Sequence, residues 1–208
     1  MRFIVVIWSI LWMPLGGAAA IDRGVFELLK ERIDDKQHHT QTVKSGRERA
    51  VLCGYCHGKD GNSVKNYIPN LAAQNPEYLV NQFEQFAKKQ RKNYVMERLA
   101  ASLSDSEKVN LALYFASLKV SSRTTEHPEL VAKGKSVFFC ICYTCHGKDA
   151  LGKENLPRLA GQPEDYIVKT LHYFKSGQKR NVDSPMPGIV TQLTDQEIKA
   201  VAAYITSM

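Results

Sequence analysis

Five cysteines and six histidines stand in this chain of 208 residues, and four of the cysteines fall into one repeated pattern. Cys53-Gly54-Tyr55-Cys56-His57 returns as Cys142-Tyr143-Thr144-Cys145-His146, 89 positions further on. Two cysteines separated by two residues and followed at once by histidine form the attachment signature of c-type haem: both thiols add to the haem vinyl groups and the adjacent imidazole ligates the iron. The alternatives are a disulfide, a zinc site and a thioredoxin-like redox pair. Zinc gives no reason for a histidine directly after the second cysteine in both copies. A thioredoxin motif asks for a βαβ pattern, which the flanking residues lack. The spacing therefore predicts two covalently bound haem c groups, one on Cys53 and Cys56 with His57 on the iron, the other on Cys142 and Cys145 with His146.

The opposite axial position can be narrowed by elimination. Of five methionines, Met1 and Met13 lie in an apolar N-terminal stretch and Met208 sits on the core face of the last predicted helix. Met96 and Met186 remain, 39 and 40 residues beyond His57 and His146. A lone methionine usually fills core space, but one per unit at matched spacing reads as a pair of axial ligands. Met/His ligation closes both faces of an iron and raises its reduction potential, which suits electron transfer and leaves no site for oxygen or peroxide. A ligating histidine also needs an acceptor for its other ring nitrogen. Pro69 and Pro157, each opening a Leu-Ala-x-Gln run, offer backbone carbonyls for this, an ordinary loop proline being the alternative. His38, His39, His127 and His172 have no partner in the other copy and read as surface or packing residues. Cys140 aligns with Val51 and reads as a small buried hydrophobe, with a disulfide or a thiolate ligand as the sharper alternatives.

These residues must be positioned by something, and the repeat shows what. Pro69-Asn70-Leu71-Ala72-Ala73-Gln74 matches Pro157-Arg158-Leu159-Ala160-Gly161-Gln162, Tyr78 matches Tyr166, and Phe86 matches Phe174. The chain is a tandem duplication, and each copy reads as helical. Pro76 and Pro163 are placed at first helical positions, and Ser104-Asp105-Ser106-Glu107 and Thr194-Asp195-Gln196-Glu197 are capping boxes. Leu111, Tyr114, Phe115 and Leu118, like Val201, Tyr204, Ile205 and Met208, recur at the spacing of one apolar helix face. No period-2 run suggests a sheet, so the fold class is all-α. The predicted organisation is a signal peptide over 1–20, an extension over 21–42, a first domain over 43–118, a polar linker over 119–128 and a second domain over 129–208. In the extension, Val25, Phe26, Leu29 and Ile33 could line a short amphipathic helix. A unit of about 80 residues has little core of its own, and a covalent macrocycle would supply an apolar centre.

Arg2, the apolar run Phe3 to Met13, Pro14 with Gly16-Gly17, and Ala18-Ala19-Ala20 follow the plan of an export signal cleaved after Ala20, which would remove both tryptophans, Trp8 and Trp12; an uncleaved anchor is the alternative. A hydrophobic content of 44% and a charged content of 24% exclude disorder, collagen-like repeats and a polytopic membrane protein. The formal net charge is +7. Lys88, Lys89, Arg91 and Lys92 precede Met96, and Lys175, Lys179 and Arg180 precede Met186; the denser first run suits an acidic redox protein, whereas helix ends complementing the macrodipole are the plainer explanation. No nucleic-acid partner is expected.

The CxxCH motifs, the Pro-x-Leu-Ala/Gly-x-Gln segments and the spacing from Met96 to Leu103-Ser104-Asp105 and from Met186 to Leu193-Thr194-Asp195 resemble the dihaem cytochrome c4 family over residues 43 to 208. The resemblance implies two tandem class I cytochrome c domains with facing haems, in a periplasmic or membrane-associated electron carrier that serves a terminal oxidase and is no enzyme. Upstream, it implies a dehydrogenase or bc1-type donor. A haem subunit of a larger dehydrogenase, docking through the extension, is the second reading, and a dihaem peroxidase the third. Two features depart from the family pattern: the 21–42 extension, and the absence around Met96 of the prolines that bracket Met186 in Pro185-Met186-Pro187.

Overall fold

The computed structural model describes residues 24–179 and 184–208. The predicted leader, with Trp8 and Trp12, and Arg180 of the second basic run lie outside the described residues. Eleven α-helices are present among the described residues, with no β-strand and one isolated bridge between Lys153 and Leu156.

Each copy is built around the contact between its first and last helices. In the first, α2 (His39–Arg49) crosses α6 (Asp105–Ser117); in the second, α7 (Val131–Val137) crosses α11 (Asp195–Thr206). A glycine sits at each crossing. A Cβ on Gly46 would collide with the Asn110 carbonyl, and one on Gly134 with the Ala200 carbonyl, so only glycine lets the backbones approach this closely. Both capping boxes form. Ser104 Oγ accepts from Glu107 N at 3.3 Å while Glu107 accepts from Ser104 N at 2.9 Å, and Thr194 and Glu197 repeat the exchange at 3.2 and 2.8 Å. Two orphan donors are thereby satisfied at each helix start. Pro76 opens α4 (Pro76–Ala87) as expected. α9 (Glu164–Lys175) begins one residue late, with Pro163 in extended backbone as its cap.

The remaining helices wrap these crossings. α3 (Gly54–His57) and α8 (Tyr143–His146) are single turns carrying the histidine motifs, and α5 (Tyr94–Ala101) and α10 (Met186–Val190) carry the two methionines. Two separate cores result, one containing Leu79, Val80, Phe83, Phe86, Leu111 and Phe115, the other Phe138, Ile167, Phe174, Ile198, Val201 and Ile205. The extension belongs to the first. Its helix α1 (Val25–Asp34) buries Val25 and Leu29 one turn apart against α4 and α6, and leaves Phe26 and Ile33 exposed. The predicted four-residue stripe is therefore half used.

Cys140 differs from expectation. It is exposed, as its counterpart Val51 is, and lies in a π-helical turn, Phe138–Cys142, whose Phe138 is in the core and whose Phe139 is exposed. The polar linker segment 119–128 is held to both copies by hydrogen bonds. Asn62 bonds Lys119 O and Ser121 N at 2.9 Å each, Arg123 donates to Ser63 O, and Thr125 Oγ1 donates to buried Glu164 at 2.7 Å. Glu164 N and Tyr166 N in turn donate to Asn66, which ties the second copy to the first. Among the described residues, no helix is long and apolar enough to cross a membrane.

Candidate functional site

One motif cysteine and the methionine of each copy pack on that copy's own core. Cys53 and Met96 both pack against the first core, Cys142 and Met186 against the second. Cys56 and Cys145 are exposed on the outer side of their turns. After each histidine the chain must turn sharply: Gly58 and Gly147 have φ of +83° and +78°, which favours glycine, and at Gly58 a Cβ would also strike the Asn62 backbone.

Each histidine is held by the proline carbonyl expected of it. His57 Nδ1 lies 2.8 Å from Pro69 O, and His146 Nδ1 lies 3.2 Å from Pro157 O. A carbonyl can only accept, so Nδ1 carries the proton in both rings and Nε2 keeps its lone pair. Burial lowers both histidine pKa values; the proline carbonyls oppose the shift, and for His57 the nearby Arg91 charge reinforces it. The imidazoles are thus neutral and presented as ligands, each oriented by its second nitrogen.

The two inner motif cysteines are shifted by burial. Burial raises the Cys53 pKa against the opposing Arg49 charge, and raises that of Cys142 to about 11, with Cys140 adding to the effect. Among the described residues no three His, Cys, Asp or Glu side chains gather as a metal cage. The zinc alternative lacks a ligand cage there, whereas one half-buried motif cysteine, a neutral histidine and a methionine in each copy suit a covalent thioether-linked haem.

The methionines are held by different means. Met186 opens α10 between Pro185 and Pro187, which fix backbone freedom on both sides. Met96 lies in the first turn of α5, where its N–H donates to Asn93 Oδ1 at 3.0 Å and Glu97 Oε1 accepts from Asn93 N at 2.9 Å. This reciprocal cap does what prolines do in the second copy.

The basic run before Met96 is only partly a surface. Lys88 pairs with Glu84 at 3.0 Å, and Arg91 turns inward, its guanidinium 4.5 Å from the Phe86 ring centroid and bonded to Gln82. Lys89 and Lys92 are exposed, next to Tyr94 and Val95, which are 74% and 55% exposed. In the second run Lys175 pairs with Asp195 at 2.8 Å. The other histidines sit as expected: His38 and His127 pair with Asp35 and Glu129 on the surface, His39 is exposed, and His172 is half-buried.

Sequence reasoning missed Asn93 and the glutamines Gln74 and Gln162, which meet the opposite copy. Asn93, three residues before Met96, is a helix-cap signal that could have been read. The glutamines carried a different signal, being identical in two copies that otherwise differ at most positions.

Residues 131–208 match the family model of cytochrome c. With the first half repeating the second in motif and fold, the chain is a c-type cytochrome of two tandem domains that binds haem c covalently. Over 183 residues it is 32% identical to cytochrome c4 of Pseudomonas aeruginosa, covering 82% of this chain and 90% of that one. The crystal structure of reduced recombinant cytochrome c4 from Pseudomonas stutzeri superimposes with a TM-score of 0.74 at 29% identity, over 80% of this chain and 98% of that one. A thiosulfate dehydrogenase electron acceptor of Thiomonas intermedia is 31% identical over 172 residues, 76% of this chain and 79% of that protein. The chain belongs to the cytochrome c4 family.

Proposed function

We propose that this chain carries single electrons through two haems, the first linked to Cys53 and Cys56 with His57 and Met96 on its iron, the second linked to Cys142 and Cys145 with His146 and Met186. One observation carries the reading: both copies bring a motif cysteine and the methionine to one core wall, with a neutral histidine locked on a proline carbonyl. The haem supplies a one-electron iron couple. The chain's own residues do the rest. Pro69 and Pro157 hold the imidazoles in the ligand tautomer, the two cores exclude water from one side of each group, and the prolines or Asn93 fix the methionine loops. Two occupied axial positions suit a carrier, not a peroxidase.

Export to the periplasm follows from the leader-like N-terminus; peripheral attachment to the membrane and a terminal oxidase as electron acceptor are proposed from the family resemblance. The relative that accepts electrons from thiosulfate dehydrogenase favours a second reading, in which this chain takes electrons from a dehydrogenase partner. Under that reading the extension is a weaker dock than its sequence implies, since Val25 and Leu29 are already used inside the first core.

Haem-stained denaturing electrophoresis and intact mass test the core of the proposal, with two covalent haem additions expected. A single addition, or a bound metal in place of either, overturns it. Met96→Leu and Met186→Leu should each open one iron to carbon monoxide in the reduced protein and leave the other spectrum intact. Rapid-mixing kinetics with an isolated terminal oxidase and with a thiosulfate-oxidising dehydrogenase then separate the two partner readings.

A further inference from the structure

The two copies meet through a pair of glutamines related by the internal repeat. Gln162 Oε1 accepts from Asn70 N at 2.9 Å and its Nε2 donates to Asn70 O at 3.0 Å. Gln74 does the same to Arg158, accepting from its N at 2.7 Å and donating to its O at 3.0 Å. Both glutamines are buried, and Asn70 is buried with them. Backbone N–H can only donate and C=O can only accept, so the orientation of each amide is fixed by its partners.

The residues clasped in this way are those that follow the histidine-holding prolines. The amide plane joining Pro69 to Asn70 offers its C=O to His57 Nδ1 and its N–H to Gln162. The plane joining Pro157 to Arg158 offers its C=O to His146 and its N–H to Gln74. Each histidine is thus one peptide group away from a glutamine of the opposite domain. Hydrogen bonds in such a chain polarise one another. An acceptor on the N–H makes the carbonyl a stronger acceptor, which draws the Nδ1 proton and makes Nε2 a better donor to a metal, and outer-shell bonding of this kind tunes haem potentials.

We propose that Gln74 and Gln162 are positioning residues that tune the iron couple of the opposite domain, Gln162 acting on the haem of His57 and Gln74 on the haem of His146. The proposal rests on the two-haem reading above. It turns the domain interface into an electronic connection: any movement that opens the clasp raises both potentials together.

The test is spectroelectrochemical titration of the full two-haem protein, each haem assigned by its own methyl resonances in NMR spectra. Methionine has the length of glutamine without its acceptor. Gln162→Met should raise the potential of the first haem, changing its oxidised-to-reduced ratio at a fixed potential about threefold, or about 28 mV for a one-electron couple, and should move the second haem less. Gln74→Met should show the reverse. Gln162→Glu keeps an acceptor for Asn70 N–H, so the first haem should stay at or below its original potential; a purely structural role would move both variants the same way. Equal shifts of both haems in each variant, shifts confined to the mutated domain, or no shift would overturn the proposal. Intact mass on the same samples keeps the two claims apart, because fewer than two haems in the unmutated protein overturns the underlying reading instead.

Discussion

Asn93→Ala would weaken the first methionine loop without touching Met96. From sequence alone Met96 looks the freer ligand, because Pro185 and Pro187 have no counterparts beside it. Each proline, at a compatible position, contributes about 0.4–1 kcal/mol by restricting the unfolded loop. Against that, the Asn93 side chain accepts from Met96 N at 3.0 Å and Glu97 closes the cap on Asn93 N at 2.9 Å. A cap of this type contributes about 1 kcal/mol, and the returning bond adds to it. The two loops therefore come within about 1 kcal/mol of each other, and the unmutated protein should lose both methionine–iron bonds at similar urea concentrations. Removing the Asn93 acceptor takes away about 1 kcal/mol, which is roughly a fivefold larger equilibrium constant for ligand loss. The assay is a urea titration of the oxidised protein followed by the methionine-to-iron charge-transfer absorption, with NMR separating the haems. The first site should give way earlier and the second should not change, while Asn93→Asp, which keeps the acceptor, should behave as the original. An unchanged first site, or equal loss at both, would refute the reasoning.

Four further outcomes follow from residues that the two copies do not share. Lys108 is buried with its ammonium 2.7 Å from Glu84 and 3.0 Å from Asp105, where the second copy has Ile198; Lys108→Ile alone should destabilise the first domain by roughly 3 kcal/mol by leaving Glu84 underpaired, whereas Glu84→Met with Lys108→Ile should be near neutral in thermal unfolding. Burial alone would raise Glu84, but bonds from Lys108 and Lys88 outweigh it and its pKa is lowered, so this stabilisation is present above the ordinary carboxylate range and is lost as pH falls through the depressed value; acid titration should unfold the first domain of the original protein over a wider range than that of the double variant. Cys140 is exposed, so the two-haem protein should take up one equivalent of iodoacetamide, and the Cys140→Ser variant none, by intact mass. Charge reversal at Lys89 and Lys92 should slow association with an acidic redox partner at low ionic strength and leave both haem spectra unchanged, while reversal at Lys175, already paired with Asp195, should matter less in stopped-flow kinetics.

The parts of this molecule that were legible in the sequence are those encoded by local chemistry. The capping boxes, the opening proline of α4 and the apolar faces of α6 and α11 each depend on residues within a few positions of one another, and the structure forms them all. The proline carbonyls that hold His57 and His146 were legible for a related reason: a ligating imidazole needs an acceptor, and the repeat shows the same segment at similar distance in each copy. What could not be read depends on contacts distant in sequence or on helix phase. Cys140 is exposed, like Val51 at the matching position, and nothing in Phe138-Phe139-Cys140 marks the π-helical turn that carries it. Arg91 leaves the basic surface because Phe86 and Gln82 hold it. The docking of Val25 and Leu29 could not be anticipated from an amphipathic stripe, which shows that a face will be buried but not against what.

The duplication itself separates what the site requires from what each domain is free to change. Near the histidines the copies agree in type and geometry: Gly58 and Gly147, Pro69 and Pro157, Gln74 and Gln162. Away from them they part, with Lys108 against Ile198, Glu84 against His172, and a helical extension on one core only. Agreement extends furthest where the domains touch, since the clasp works only if both glutamines and both proline segments keep their register. A half-turn relation between the domains follows, each supplying to the other the group it receives. Such an arrangement keeps the distance and orientation between the two proposed haems constant while leaving the outer faces free to diverge, so an electron could enter at one surface and leave at another with different chemistry. On this argument the unequal outer faces and the conserved inner contact are two sides of one requirement, that the domains be alike to each other and unlike to their partners.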